Sequence, residues 1–182
     1  YYGFCGDETM FKDAPPGSDF LASICVDWEK EAGRASEAGV RVVTPRFATV
    51  LGKGGGALAK MLPVFRLGLG GPLGHGRQWF PWIHIHDLSR AILFLIEHNE
   101  ISGPMNFSAP QTVRNREFTK ILAKTLHRPA ILPVPAFLIK LVLGELSSVF
   151  LEGCKVRPDV LTRHGFAFQF DGLESALTDL VG

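Results

Sequence analysis

Within Arg41–Ile92 stand the residues whose types and spacing could do chemistry. Gly52, Gly54 and Ala57 satisfy G-x-G-x-x-G/A after an apolar run and before a helical pattern, where backbone N–H groups and a helix N-terminus can hold a pyrophosphate. A dinucleotide fingerprint also needs an acidic residue about 20 positions further on to take the ribose. Positions 70–76 form a glycine loop instead. Three readings of this turn stay open: a fingerprint, which the missing acid disfavours; a backbone surface that a ligand approaches closely; and a plain flexible turn. The second loop, Gly68–Gly76, runs into Arg77 and Gln78. It reads either as a mobile surface loop or as a cradle in which backbone N–H groups and Arg77 meet an anionic or sugar-like ligand.

Acid–base and nucleophilic candidates are few. Tyr1 and Tyr2 are the only tyrosines, and Cys5 and Gly6 stand four residues beyond them, so there is no Tyr-x-x-x-Lys pair. No lysine one helical turn away is placed to lower a phenol pKa for proton transfer. G-x-S-x-G is also absent. His84 and His86, read as two positions of one strand, share a side with Asp87 following, but a third ligand would have to come from elsewhere and no metal is expected. Asp87 reads as a helix cap rather than a catalytic acid. Cys25 lies on an apolar helix face and reads as inert packing, while Lys60 and Arg66 read as either solvated helix charges, the favoured reading, or ligand contacts. The catalytic residues are therefore unknown from sequence.

The elements that must position these residues alternate with short punctuation. Ser18 or Asp19 caps a helix whose apolar face comprises Phe20, Leu21, Ile24, Cys25, Trp28, Ala32 and Ala35, ended by Gly39. Val40–Phe47 is apolar enough for a buried parallel strand. Ala57–Leu67 is a helix despite Pro63, Trp79–Ile85 a strand, Leu88–His98 a helix and Met105–Phe107 a short strand. A helix opening at Asn115 turns Phe118, Ile121, Leu122 and Leu126 inward and stops at His127–Pro129. From Ile131 the style changes: an apolar helix Phe137–Leu143, a helix begun by Pro158 and ended at Gly165, a strand-like FAFQF, and an amphipathic helix Leu173–Val181. The fold class is α/β, with a Rossmann-like parallel sheet over 1–130 and a small α+β unit over 131–182.

Composition narrows the partners. The chain has 182 residues, 19 basic and 18 acidic side chains and 46% hydrophobic residues, so there is no electrostatic footprint for nucleic acid or an anionic membrane. No apolar run approaches the roughly 18 residues that span a bilayer. Three cysteines without metal spacing suggest a reducing compartment, taken as cytoplasmic. Because the chain opens on Tyr1 without a signal-peptide pattern, it reads as beginning mid-protein. Removing the first strands of a doubly wound sheet would leave an open edge, so a homodimer or completion by another chain is expected.

PPGSDFLA, Trp28-Glu29, TVLGKGGGALAKMLP, FRLGLGGPLGHGRQWFPWIHIHDL, LHRPAILPVPAF, Gly144-Glu145 and GFAFQFDGLESAL together resemble the atypical short-chain dehydrogenase/reductase family, the NAD-dependent epimerase/dehydratases. Some of its members are labelled nucleotide-sugar epimerases or cell-division inhibitors. The resemblance covers nearly the whole chain. It implies the C-terminal half to two-thirds of an extended Rossmann fold that binds NADP (or NAD), with the main dinucleotide motif upstream of Tyr1 and a small C-terminal domain of unknown function from about Pro133. It places Arg46, Phe47 and Val50 at the nicotinamide end of the cofactor, with backbone as the donor, and Gly54, Gly55, Gly56, Gly70, Gly71, Arg77 and Gln78 on the substrate side. The substrate is a small molecule of sugar or nucleotide-sugar type. The family's Tyr and Lys would fall near Phe20 and Ile24, both apolar here. Two functions follow as expectations: an NAD(P)-linked oxidoreductase or epimerase-like protein, and a non-catalytic module that senses a dinucleotide or contacts a partner through a degenerate site.

Overall fold

The computed structural model describes residues 1–144 and 147–182. Glu145, part of the Gly-Glu pair in the resemblance, lies outside the described residues. Two parallel ladders form the centre. Strand β2 (Val43–Phe47) pairs with β6 (Gly103–Phe107) over its full length, and β3 (Thr49–Gly52) pairs with β5 (Trp82–His84). Two short ladders flank them: β1 (Thr9–Met10) runs parallel to β8 (Lys155–Val156), and β4 (Trp79–Phe80) antiparallel to β7 (Val113–Arg114). Helices join and cover them, as the α/β expectation requires.

Local chemistry explains the boundaries. The Asp19 carboxylate accepts the Ala22 N–H at 3.0 Å and starts α1 (Phe20–Gly33), which tightens into a 3-10 turn over Arg34–Ala38 and stops at Gly39, φ 76°. Helix α2 (Gly56–Arg66) runs through Pro63. Pro81 lacks an N–H and divides the expected Trp79–Ile85 strand into β4 and β5. The α3 helix (Ile85–Glu97) begins earlier than expected, at a cap supplied by His84. Then follow α4 (Asn115–Thr125), α5 (Ala136–Leu143), α6 (Ser147–Leu151), α7 (Asp159–Arg163) and α8 (Leu173–Val181).

Three expectations are corrected. The expected strand over FAFQF does not form: Phe166–Phe170 joins no ladder, because the N–H groups of Gln169 and Phe170 are taken by a carboxylate instead. The apolar face of α1 does not turn inward; Ala22 is its buried residue, while Phe20 is 77% and Trp28 72% exposed. The β2 strand is half-buried rather than buried and starts at Val43, not Val40.

The largest core cluster joins Leu51 of β3 and Trp82 of β5 to Leu58 and Phe65 of α2, Phe118 and Leu122 of α4, and Leu173, Leu177 and Leu180 of α8. The last helix is thus part of the central core. Each fully buried leucine there contributes about 1.5–3 kcal/mol of transfer free energy. A second cluster packs Ile83, Leu95, Met105 and Phe107 against Val160, Leu161 and Phe166, and a third gathers Tyr2, Met10, Cys154 and Val156.

Candidate functional site

A cavity of about 740 Å³ lies between α2, the second glycine loop, β4 and helices α5 and α6. Met61, Val64 and Phe65 wall one side, Trp79 and Phe80 another, and Leu138, Ile139, Val149 and Phe150 a third. Thr49, Lys60, Gln78, Asn115 and Glu152 supply its polar rim. This size and character fit a small-molecule site.

Two contacts shape the second loop. The Asn115 carboxamide oxygen accepts the Leu73 N–H at 2.8 Å, while the Asn115 N–H donates to the Gln78 carbonyl at 2.9 Å. The C-terminal segment is tied to the same loop, with Val134 N–H donating to Pro72 O and Gly74 N–H to Val134 O. At Gly71 a Cβ would sit 1.6 Å from the Leu132 carbonyl oxygen, so only glycine admits this approach. The loop is therefore held on both sides and closes the cavity.

Gly70, Gly71 and Gln78 line the cavity, so three of the seven expected substrate-side residues meet there. Arg77 is exposed and lies across the Gln78–Trp79 wall, in a smaller cleft of about 320 Å³ with Asp7, His75 and Arg114. Gly54, Gly55 and Gly56 are exposed and lie on neither. They close β3 onto α2 through bridges Leu51–Gly56 and Gly52–Gly55, with positive φ at Gly54 and Gly56. Phe47, 56% exposed at the C-terminal end of β2, stands edge-on to Phe107 at 5.5 Å. Phe47, Gly55 and Arg77 share neither cavity. Val50 packs against the second core cluster. Around it the backbone donors are engaged, Ala48 N–H to Phe107 O and Thr49 N–H to Pro81 O.

Arg46 is bound within the protein. Its guanidinium makes a two-pronged pair with Glu29 at 2.6 and 2.8 Å, donates to Tyr2 Oη and Lys12 O, and stacks 3.3 Å over the Tyr1 ring. Burial lowers the Arg46 pKa, but the bonds to Glu29 and Tyr2 outweigh it and the net shift is upward. Tyr2 Oη donates to Asn106 Oδ1 at 2.6 Å. Burial pushes the Tyr2 phenol up, with Arg46 pulling partly the other way. Sequence spacing could not show this cation beside a phenol, since its members come from three distant segments.

The WIHIHDL string resolves into two roles. His84 ends β5, and its Nδ1 accepts the His86 N–H at 3.0 Å, capping α3. His86 therefore stands in the helix, not in a strand beside His84. Nε2 of His84 faces Asp179 Oδ2 at 3.3 Å, and the ring stacks on Phe170. Asp87 is not the cap: fully buried in the first turn, it accepts from Gln169 N–H, Phe170 N–H and Arg90 Nη1 at 2.8–2.9 Å. Among the described residues, no three His, Cys, Asp or Glu side chains gather where a metal could sit. No helix among them is long and apolar enough to cross a membrane.

The cavity walls Trp79, Phe80, Asn115, Leu138 and Phe150 were not singled out from sequence. Their one legible sign was α5, whose apolar composition demands a partner surface.

Residues 7–108 match the NAD dependent epimerase/dehydratase family, and residues 134–180 a domain of unknown function, DUF1731. The chain is similar to the mouse epimerase family protein SDR39U1, 44% identical over 93% of this chain and 58% of that protein. It is also similar to the Arabidopsis thaliana epimerase family protein SDR39U1 homolog, chloroplastic, 43% identical over 97% of this chain and 51% of that one. The crystal structure of the human epimerase family protein SDR39U1 with NADPH superposes with TM-score 0.90 at 36% identity, covering 99% of this chain and 61% of the human one. The chain spans a little over half the length of these curated relatives.

Proposed function

The chain belongs to the NAD dependent epimerase/dehydratase family, and from that membership we propose that it is the substrate-side part of an NAD(P)-linked oxidoreductase or epimerase-like protein acting on a small molecule. The observation that carries this is the cavity closed by the glycine loop and the C-terminal helices. The NADPH in the human neighbour supports a nicotinamide dinucleotide, with NADP favoured over NAD. When bound, the dinucleotide supplies or accepts hydride. Phe47 fits a nicotinamide-end contact because its exposed ring lies at the C-terminal end of a parallel strand, where α/β ligands sit. Val50 supports that strand end from the core side, and Arg46 positions it through Glu29 and the two tyrosines. Gly54–Gly56 shape the turn, and Gly70, Gly71 and Gln78 hold the substrate, with Arg77 on the adjoining cleft.

In the same reading, α5 and α6 of the 131–182 unit roof the cavity, while its α7 and α8 pack into the first two core clusters. The three free thiols suit a reducing, cytoplasmic compartment, and the open faces of α1 and β2 suit a homodimer. A sugar or nucleotide-sugar substrate follows from family labels, and the rim of Thr49, Lys60, Gln78, Asn115 and Glu152 is the polar part of the cavity that would meet it.

One observation favours a non-catalytic, dinucleotide-sensing or protein-interaction module. Both tyrosines are engaged with Arg46, and neither lines the cavity. Titrating the full gene product with NADP⁺ and NADPH by calorimetry tests the first reading. Saturable binding with turnover of a carbonyl or alcohol panel supports it; no saturable binding removes it, and the dinucleotide sensor with it. Tight binding without turnover leaves the sensor.

A further inference from the structure

We propose that Cys5 and Cys154 form a redox-active pair: a hydroperoxide oxidises Cys5, and Cys154 resolves it to a disulfide that clamps the N-terminal segment to the C-terminal unit. The two residues stand 149 positions apart in sequence, yet their Sγ atoms lie 2.9 Å apart. The ladder of β1 with β8 brings them together, since Thr9 pairs with Lys155, the residue after Cys154. A disulfide bond is about 2.05 Å long, so the sulfurs need to close by under about 1 Å to form one.

Hydrogen bonds hold the pair in place. The Cys154 thiol lies 2.9 Å from both the Cys5 sulfur and the Gly3 carbonyl oxygen, and the Cys5 thiol donates to the Tyr2 carbonyl at 3.1 Å. Tyr2, Met10 and Val156 pack with Cys154 in the third core cluster. A buried thiol in such a core is ordinarily inert. The second sulfur changes this, because an oxidised Cys5 would find a nucleophile already in contact with it.

Exposure and ionisation set the order of events. Cys154 is buried, whereas Cys5 keeps part of its surface open. Burial, and then the bond to Cys5, push the Cys154 thiol up to about 12, so it keeps its proton at neutral pH and is the poorer first target. The Cys5 sulfur therefore attacks the peroxide: the O–O bond breaks, Cys5 becomes a sulfenic acid, and the remaining oxygen takes the thiol proton and leaves as an alcohol or water. The Cys154 sulfur then attacks the Cys5 sulfur, the S–O bond breaks, and the hydroxyl leaves as water with the Cys154 proton. Two electrons pass from the two sulfurs to one peroxide. In a reducing compartment such a bond is transient, because a dithiol reductant opens it again by exchange.

The clamp would join two parts of the molecule already described. Glu152 and Gly153, directly before Cys154, line the cavity, and a Cβ at Gly153 would stand 2.2 Å from the Trp79 carbonyl oxygen. Tyr2, three residues before Cys5, holds Arg46 and Asn106 through its phenol. The disulfide thus ties a cavity-wall segment to the Arg46 network.

Peptide mass spectrometry of the full gene product, treated with hydrogen peroxide and then alkylated, tests the proposal. A Cys5–Cys154 cross-linked peptide should appear and should vanish with dithiothreitol. Cys25, half-buried like Cys5 but on α1, should remain alkylatable. The cross-linked form should melt roughly 5–10 °C above the reduced form, because the loop it closes is long. In Cys154→Ser the reaction should stop at a Cys5 sulfenic acid trapped by dimedone, and in Cys5→Ser the Cys154 thiol should stay reduced. Absence of the cross-link, oxidation of Cys25 ahead of Cys5, or oxidation of Cys154 in Cys5→Ser would overturn the pair. A cross-link that leaves the melting temperature unchanged would overturn the clamp.

Discussion

Asp87 offers the sharpest single-residue test of how the molecule is held. Its carboxylate is fully buried and answers two backbone N–H groups of the C-terminal segment as well as Arg90. Asp87→Asn turns an NH₂ toward one of those donors, and the expected loss is about 2–3 kcal/mol, read as a lower urea midpoint. His84 sets a pH limit. Burial holds its pKa below the ordinary 6.5, and Asp179 offsets only part of this. The unfolded chain therefore binds a proton at higher pH than the folded one. The stability tied to neutral His84 is full above the unfolded value, declines as pH falls through it, and levels off below the folded pKa. A melting series from pH 8 to pH 5 should slope downward on acidification, and His84→Asn, which keeps a capping acceptor, should flatten it.

At the level of elements, Gly71 fixes how closely the second loop and residues 132–134 approach. Gly71→Ala forces one backbone from the other and should cost about 1–3 kcal/mol, read as a lower urea midpoint. Legibility from sequence divided along physical lines. The α8 helix was readable to its ends because its period is local, whereas β1, β7 and β8 are two-residue ladders whose partners lie far along the chain. The β3 strand hid behind its glycines and was read as a turn. Of the cavity lining, Gly70, Gly71 and Gln78 were among the residues that the resemblance implied, whereas Phe47 does not line it. The Arg46–Glu29–Tyr2 network and the apolar walls from α5 and α6 were not legible, since tertiary proximity alone creates them.

Across the whole molecule, α1, the end of β2 and α3 each leave large apolar side chains open, with Phe20, Trp28, Phe47, Leu93 and Ile96 all exposed. Apolar surface of this kind marks contact sites. Light scattering of the isolated chain should report a species larger than a monomer, and the pair Phe20→Glu, Trp28→Glu should return it to monomer. A monodisperse monomer before substitution would count against the homodimer.

The position of α8 within the central core bears on biosynthesis. Leu173, Leu177 and Leu180 pack on Trp82 and Phe118, so a nascent chain still holding α8 inside the ribosome cannot close its own interior. A premature stop at Gly172 would leave that interior wet, and the shortened product should be a prompt target for proteolysis.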